Sequence, residues 1–90
     1  MSDDPKLALY QTVFCPFCER VRGALRRLNV EIPMRDIDSR LEWRRELMDA
    51  TGRQTVPCLR IESEDGAVEW LHESTDIIDY LEERFAGGSA

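Results

Sequence analysis

Residues 12–20 read TVFCPFCER, in which Cys15 and Cys18 are separated by a proline and a phenylalanine. Residues 6–13 (KLALYQTV), which overlap the start of this stretch, are mostly apolar and partly β-branched, which is typical of a short buried strand. Pro16 suits the first position of a helix, because the amide proton that it lacks would have no intrahelical partner there. The stretch therefore predicts a strand that ends before Cys15 and a helix that begins at Pro16.

The residues that follow Pro16 have the periodicity of an amphipathic helix. The apolar residues recur at helical spacing and should form its buried face: Phe17, Val21, Leu25 and Leu28. The basic residues between them are expected to form a solvated face: Arg20, Arg22, Arg26 and Arg27. A second strand is predicted over residues 31–37, with Pro33 favouring an edge position in a sheet.

A second helix is predicted after this strand. Ser39 should be its N-cap, because Glu42 three residues later completes a capping box. The helix is expected to run to about residue 50, where Gly52 is placed to end it. Its apolar face would consist of Trp43, Leu47 and Ala50.

The last third of the chain predicts a hairpin followed by a helix. Residues 56–62 and 67–72 alternate between apolar and polar side chains, and Asp65 and Gly66 between them are a strong turn signal. Ser74 is expected to cap the final helix. The apolar stripe of that helix is Ile77, Leu81 and Phe85.

The predicted order of elements is β-α-β-α-β-β-α. A βαβ unit followed by an antiparallel hairpin and a closing helix gives an α/β fold, with a four-stranded mixed sheet sandwiched by three helices. We expect one domain over residues 1–86 and a flexible C-terminal tail over residues 87–90.

Composition narrows the choice of partners and compartment. The 90 residues carry a net charge of −6, and an acidic surface repels phosphate backbones and anionic lipid. No apolar run approaches the roughly 18 residues that a membrane span needs, and the opening MSDDPK is unlike a signal or transit peptide. We therefore expect a cytoplasmic monomer with neither nucleic acid nor membrane as a partner. The odd number of cysteines, three, argues against a structural disulfide framework.

Cys15 is predicted to be the reactive thiol of the pair. The N-terminus of a helix has unpaired amide protons and the positive end of the helix dipole, and both should lower the pKa of a cysteine placed there. Cys18 lies one turn further in, where it is close enough to attack a mixed disulfide on Cys15 but less exposed. The spacing therefore predicts a redox centre with Cys15 as the nucleophile and Cys18 as the resolving thiol.

Two other uses of these cysteines stay open. Both could be buried and inert, or a zinc ion could be held by a Cys₃His set formed by Cys15, Cys18, Cys58 and His72. A redox motif is favoured, because Cys58 and His72 are not a closely spaced pair and because C-x-x-C beside a βαβ pattern is typical of redox centres in a reduced compartment. Cys58 is then expected to act as a small buried hydrophobe and His72 to be structural.

Two motifs make the chain resemble the glutaredoxin branch of the thioredoxin fold. A strand leads into CPFC (residues 15–18), and TGRQTVP follows at residues 51–57. The resemblance extends from about Leu7 to Phe85. It implies a dithiol glutaredoxin that reduces glutathione mixed disulfides and protein disulfides, with roles in cell redox homeostasis and electron transport.

The resemblance also implies a glutathione site beside the reactive thiol. Pro57 would be the family's cis-proline, and the backbone of Val56 would pair with the cysteinyl moiety of glutathione. Phe17 stands where the family often has tyrosine and keeps the ring. Arg53 would attract the glycyl carboxylate. Many glutaredoxins have a lysine three residues before the first cysteine, where this chain has Thr12.

The start of the last helix resembles a different family. Residues 70–81 (WLHESTDIIDYL) are similar to the N-terminal domain of glutathione S-transferases, in which Glu-Ser opens the last helix and receives the γ-glutamyl end of glutathione. By this resemblance Glu73 would take the ammonium group. The Ser74 hydroxyl and the helix amides would bind the carboxylate, which is the kind of group that a helix N-terminus favours.

These resemblances leave two alternative functions open. One is a glutathione-binding domain of the transferase type. The other is an iron–sulfur or zinc module, in which Cys15 and glutathione would hold a cluster bridging two chains. For the favoured oxidoreductase, glutathione is the expected co-substrate and no metal is expected. The expected partners are glutathionylated proteins and proteins that contain disulfides.

Overall fold

The computed structural model describes residues 5–86 of the chain. The elements follow the predicted order, and their bounds are β1 Lys6–Gln11, α1 Pro16–Leu28, β2 Met34–Asp36, α2 Leu41–Thr51, β3 Cys58–Glu62, β4 Val68–Leu71 and α3 Ser74–Leu81, followed by a π-helical turn, Glu82–Ala86. The tail predicted over residues 87–90 lies outside the described residues. Within residues 5–86, none of the helices is both long and apolar enough to cross a membrane.

The four strands form one mixed sheet in the order β2-β1-β3-β4. β1 is parallel to β2, and β3 is antiparallel to both β1 and β4, which confirms the predicted architecture. β2 lies at an edge, as Pro33 indicated, but it is shorter than the predicted residues 31–37. Pro33 has no amide proton for the ladder, and its carbonyl instead accepts a hydrogen bond from the N–H of Leu9 (3.0 Å) just before β2 begins.

The helices cover opposite faces of the sheet. α1 and α3 pack over an aliphatic core that contains Leu7, Leu9, Val21, Leu25, Leu59, Ile61, Ile77 and Leu81. α2 covers the other face over a smaller cluster, formed by Tyr10, Ile37, Leu47 and Cys58. Neighbouring residues of β3 therefore point to opposite faces, as the predicted alternation requires.

Two of the predicted helix caps are wrong. Ser39 does not cap α2, because its hydroxyl donates to the carbonyl of Asp36 (3.0 Å) and closes the turn after β2. Arg40 takes the N-cap position of α2 instead. Ser74 is already the first residue of α3, since Glu73 before it is the last residue with an extended backbone (ψ 131°).

Two members of the predicted apolar faces are exposed. The side chain of Phe17 is 57% exposed and lines a surface cleft instead of the core. Ala50 is also exposed and lies in a depression beside α2. The prediction holds better at the last helix, where Phe85 packs against the aliphatic core from the π-helical turn.

Candidate active site

Cys15 lies at the junction where the chain leaves β1 and enters α1. It is the N-cap residue of α1, with an extended backbone (φ −89°, ψ 119°), and Pro16 occupies the first helical position as predicted. The sulfur of Cys15 accepts a hydrogen bond from the backbone N–H of Cys18, with a nitrogen–sulfur distance of 3.4 Å. An amide that the helix start would leave unpaired is thus directed at the thiol.

The surroundings of Cys15 favour its thiolate form. Burial raises the pKa of this thiol, but hydrogen bonds from the backbone and thiol of Cys18 and from the backbone of Phe17, together with the positive charge of Arg22, outweigh it and lower the pKa below that of an ordinary cysteine. The residue is only partly buried. Accessibility and a lowered pKa both favour a nucleophilic thiol, and the direction of this shift agrees with the prediction from the helix terminus.

Cys18 differs from Cys15 although it lies only one turn further along α1. Its side chain is fully buried, and this burial raises the pKa of its thiol to about 11. All three cysteines of the chain are free. One helical turn therefore holds a partly buried thiol whose pKa is lowered and a buried thiol whose pKa is raised, which is a contrast that attack followed by resolution can use.

A cleft of about 290 Å³ runs between the starts of α1 and α3. Its walls are formed by Phe17, Arg20, Thr55, Val56, Pro57, His72, Glu73, Ser74 and Thr75. Of the six residues predicted to bind glutathione, five line this cleft, although they come from three separate segments of the chain. Neither Cys15 nor Cys18 lines the cleft itself, and Phe17 between them in the motif is the residue that does. Two larger depressions, of about 350 and 360 Å³, lie against other parts of the sheet.

The middle wall of the cleft is the segment that leads into β3. The peptide bond between Val56 and Pro57 is cis, as the resemblance implied. The strand pairing of β3 with β1 begins at Cys58, opposite Tyr10, so Val56 precedes the ladder and its backbone is not paired with β1. This backbone therefore lies at the cleft outside the hydrogen-bonded sheet.

The start of α3 forms the wall opposite α1. Glu73 is at the N-cap position, and within the described structure no side chain makes a capping hydrogen bond to this helix. Ser74 follows with only 7% of its surface exposed. The first amides of α3 therefore lack a side-chain acceptor at a place where a helix N-terminus attracts a negative group.

Arg53 is the predicted glutathione contact that the structure places outside the lining of the cleft. It lies exposed in the loop between α2 and β3. Burial raises the pKa of the Cys58 thiol to about 12, and the positive charge of Arg53 acts against this rise. Burial and the same charge lower the pKa of His72. Arg53 is thus close enough to act electrostatically on His72, which lines the cleft, and on Cys58 behind it.

Four residues line the cleft without having been predicted: Arg20, Thr55, His72 and Thr75. Arg20 lies three residues after Phe17 on α1, so helical spacing could have placed the two on the same face. His72 was expected to be structural, and it lines the cleft while its Nδ1 is buried without a hydrogen-bond partner among the described residues.

The residues of the possible zinc site do not assemble. Cys58 lies in the cluster beneath α2, as its predicted role as a small buried hydrophobe requires, and its sulfur is 3.9 Å from Nε2 of His72. Between residues 5 and 86, no three His, Cys, Asp or Glu side chains lie close enough together to hold a metal ion. The Cys₃His set left open by the sequence is therefore not formed.

Two sequence comparisons are consistent with this site. Residues 9–89 match the family model described as glutathione S-transferase, N-terminal domain. A glutaredoxin from Pseudomonas aeruginosa is 35% identical over 69 residues, which cover 76% of this chain and 82% of that glutaredoxin. The two resemblances noted in the sequence, to glutaredoxins and to transferase N-terminal domains, are therefore both confirmed.

Solved structures are similar over nearly the whole chain. The maleylacetoacetate isomerase of Anaeromyxobacter dehalogenans, solved with GSH bound in its active site, has a TM-score of 0.71 at 28% identity over 94% of this chain and 40% of the isomerase. Glutathione transferase Omega 2S of Trametes versicolor has a TM-score of 0.70 at 21% identity over 92% of this chain and 38% of the transferase. The chain thus has the predicted thioredoxin-like fold and spans about two fifths of the length of these enzymes.

Proposed function

We propose that this chain, which belongs to the thioredoxin-like family of glutaredoxins and glutathione S-transferase N-terminal domains, is a glutathione-dependent thiol–disulfide oxidoreductase. The observation that carries the proposal is the contrast between the two thiols in one turn of α1. The pKa of Cys15 is lowered at an accessible helix start, whereas burial raises the pKa of Cys18 to about 11. A transferase that only binds glutathione has no need of this contrast.

The reaction on a glutathione mixed disulfide needs Cys15 alone. Its thiolate attacks the glutathione sulfur, so that a bond forms between Cys15 and glutathione while the disulfide of the substrate breaks. The substrate leaves as a thiolate and takes a proton from water. The thiolate of a second glutathione then attacks the glutathione sulfur on Cys15, which releases glutathione disulfide and restores the Cys15 thiolate. The substrate gains two electrons, and the two glutathione units leave joined by a disulfide.

A protein disulfide requires Cys18 as well. Cys15 first forms a mixed disulfide with one substrate sulfur, and the other leaves as a thiolate. Burial is the main cause of the raised pKa of Cys18, and the negative charge of Cys15 adds to it. That charge disappears when Cys15 enters the mixed disulfide, so Cys18 can then lose its proton, bond to Cys15 and release the second substrate sulfur as a thiol. Two glutathione molecules reduce the resulting disulfide of the enzyme.

The cleft supports glutathione as the co-substrate. Glu73 would hold the γ-glutamyl ammonium, and Ser74 with the first amides of α3 would hold the adjacent carboxylate. The backbone of Val56 beside Pro57 would pair with the cysteinyl moiety, and Phe17 would cover it. Arg53 would attract the glycyl carboxylate from outside the cleft. GSH in the active site of the isomerase supports the same ligand here. A cytoplasmic location, a monomeric state and a role in cell redox homeostasis stay predictions.

Variants of the individual cysteines test the proposal. Cys15→Ser should reduce the rate of reduction of a glutathionylated peptide by roughly 100-fold or more, because serine is a poor nucleophile at neutral pH. Cys18→Ser should keep most of this activity but lose the reduction of a protein disulfide. Cys58→Ala removes the third thiol as a control and should leave both reactions unchanged. Retention of the first activity by Cys15→Ser would contradict the proposal.

A second candidate function is a glutathione-binding domain of the transferase type. It is favoured by the family match over residues 9–89 and by the start of α3, where Glu73 and Ser74 line the cleft. Conjugation of glutathione to 1-chloro-2,4-dinitrobenzene distinguishes the two. Conjugation that is unaffected by Cys15→Ser, combined with no reduction of the glutathionylated peptide by the wild-type protein, would favour this second function.

A further inference from the structure

The turn that precedes Cys15, residues 12–14, is tied to α1 mainly through the side chain of Arg22. Arg22 lies in the second turn of α1, and its Nη1 donates to the carbonyl of Thr12 (3.1 Å) while its Nη2 donates to the carbonyl of Val13 (3.1 Å). Its Nη1 also donates to the side-chain oxygen of Gln11 at the end of β1. These contacts connect the strand and the turn before the reactive thiol to the helix after it.

Besides Arg22, the turn is held by a hydrogen bond between the backbone of Thr12 and the buried Cys18 thiol, and its tip is exposed. Val13 and Phe14 are 58% and 96% exposed, so they contribute almost no core packing. Gln11, by contrast, is buried, and its oxygen would have to find another donor if the guanidinium were removed. The planar guanidinium of Arg22 can serve two adjacent carbonyls at once, which a lysine ammonium on a flexible stem does poorly.

The guanidinium is itself held in place. Its Nε donates to Oε1 of Glu19 (3.1 Å), which lies one turn earlier on α1, and the side chain of Arg22 is only 19% exposed. Only the guanidinium side of this pair is enclosed, because the side chain of Glu19 is 55% exposed. The sequence predicted a solvated arginine here, whereas the structure shows one that is enclosed between α1 and the turn.

We propose that Arg22 is a positioning residue for the thiol–disulfide reaction, because it fixes the turn that places Cys15 at the helix start and holds a positive charge near its sulfur. The catalytic meaning of this inference rests on the proposed function. In support, burial raises the pKa of both thiols of the motif, and the charge of Arg22 acts against that rise at each of them.

Arg26 provides a matched control on the same helix. It pairs with the same carboxylate as Arg22, since its Nη2 donates to Oε2 of Glu19 (2.7 Å). Among the contacts found within residues 5–86, however, none joins Arg26 to the turn or to Gln11. Arg26→Gln therefore removes the same charge from α1 and disturbs the same acidic partner without touching the turn.

Alkylation and hydrogen exchange on the folded protein test the proposal. Arg22→Gln should slow the reaction of Cys15 with iodoacetamide at pH 6 by roughly threefold or more, and its pH profile should move to higher pH, because the thiolate loses a neighbouring positive charge. Arg22→Lys should keep most of the alkylation rate, since it keeps the charge. It should still speed amide hydrogen exchange at Thr12, whose backbone hydrogen-bonds the Cys18 thiol, by roughly tenfold, because the bidentate contact that holds the turn is lost. Arg26→Gln should change neither quantity by as much as twofold.

Two outcomes would overturn the proposal. One is a folded Arg22→Gln protein whose alkylation profile matches that of the wild type. The other is an Arg22→Lys protein whose turn exchanges at the wild-type rate, and this second result decides the question if Arg22→Gln does not fold. Neither measurement involves glutathione or a disulfide substrate. The proposed function can therefore fail in the peptide-reduction assay while the role of Arg22 stands, and the reverse also holds.

Discussion

The two helices that border the cleft begin in different ways. α1 begins after Cys15, whose own sulfur accepts a hydrogen bond from an amide of the first turn. α3 begins after Glu73, and in the described part of the chain no side chain caps it. The positive end of α1 therefore acts on a residue of the protein, whereas the positive end of α3 borders the cleft without such an acceptor.

A third helix start shows which part of this difference matters. α2 also begins without a side-chain cap, at Arg40, yet no residue of α2 is among the described residues that line the cleft. An uncapped helix is therefore not in itself a sign of binding. What distinguishes α3 is that its start shares the cleft with Phe17 of the CPFC motif, with Glu73 and the buried Ser74 beside its first amides.

The largest expected effect on stability comes from weakening the packing between α1 and α3. Ile77 of α3 is fully buried in the aliphatic core, together with Val21 and Leu25 of α1. Ile77→Ala should lower the free energy of unfolding by about 3 kcal/mol, because it leaves a cavity at the contact between the helices. Urea denaturation measures this loss. Leu41→Ala on α2, where the side chain is 60% exposed, is the control and should cost less than about 0.5 kcal/mol.

The same variant separates the functions of the two helix starts. If α3 supplies the ligand contacts, Ile77→Ala should raise the KM for a glutathionylated peptide more than it slows the alkylation of Cys15, which depends on α1. A loss of unfolding free energy below about 1 kcal/mol would mean that the site repacks around the smaller side chain. A rise in KM and a fall in the alkylation rate of Cys15 by the same factor would contradict the division of roles between the helices.

The next largest effect concerns the two thiols at the start of α1. In the folded protein at pH 7, iodoacetamide should modify Cys15 at least roughly 100-fold faster than Cys18. The pKa of Cys15 is lowered, so its thiolate persists to lower pH, whereas Cys18 holds its proton until about pH 11. Mass spectrometry of the alkylated peptides measures both rates. In 8 M urea, the two rates should converge to within about threefold, because the helix start and the burial are both lost.

The elements that could be predicted from the sequence are those set by local rules. Pro16 marks the start of α1 because only a helix start tolerates its missing donor, and the turn at Gly66 needs a positive φ, here 90°. The caps were harder to predict, since several neighbouring polar residues fit the same rule. At Ser39 a hydrogen bond to the turn after β2 prevailed over the capping box, and only the folded turn shows this.

Only the residues of the candidate site that belong to a recognisable motif could be predicted from the sequence. The motif and the resemblance identified Cys15 and the segment at Pro57, but they gave no sign of Arg20 or Thr75, which line the cleft because α1 and α3 meet there. The contacts of Arg22 could not be predicted from the sequence either. Its place in the helical pattern is that of a solvated arginine, and only the path of the turn before Cys15 brings two carbonyls within its reach.

The smallest expected effect tests the open start of α3 directly. Glu73→Asp keeps the charge but shortens the side chain, and aspartate is among the preferred N-cap residues because its oxygen reaches the amides of the first turn. This variant should raise the free energy of unfolding by about 0.5–1 kcal/mol. It should also raise the KM for a glutathionylated peptide several-fold, because the amides proposed to bind the ligand carboxylate would be occupied and the carboxylate proposed to hold the ammonium would be withdrawn.

Arg40→Asp at the start of α2 is the matched control for this trade-off. It places the same side chain at an N-cap that lacks one, but it also removes the exposed ion pair of Arg40 with Glu42 (3.1 Å) and the contact of the Arg40 guanidinium with the Trp43 ring (5.1 Å to the centroid). Its gain in the free energy of unfolding should therefore be smaller, and KM should stay unchanged, since α2 does not line the cleft. If Glu73→Asp stabilises the protein without raising KM, the start of α3 is merely uncapped, like that of α2, and glutathione must be held by other walls of the cleft.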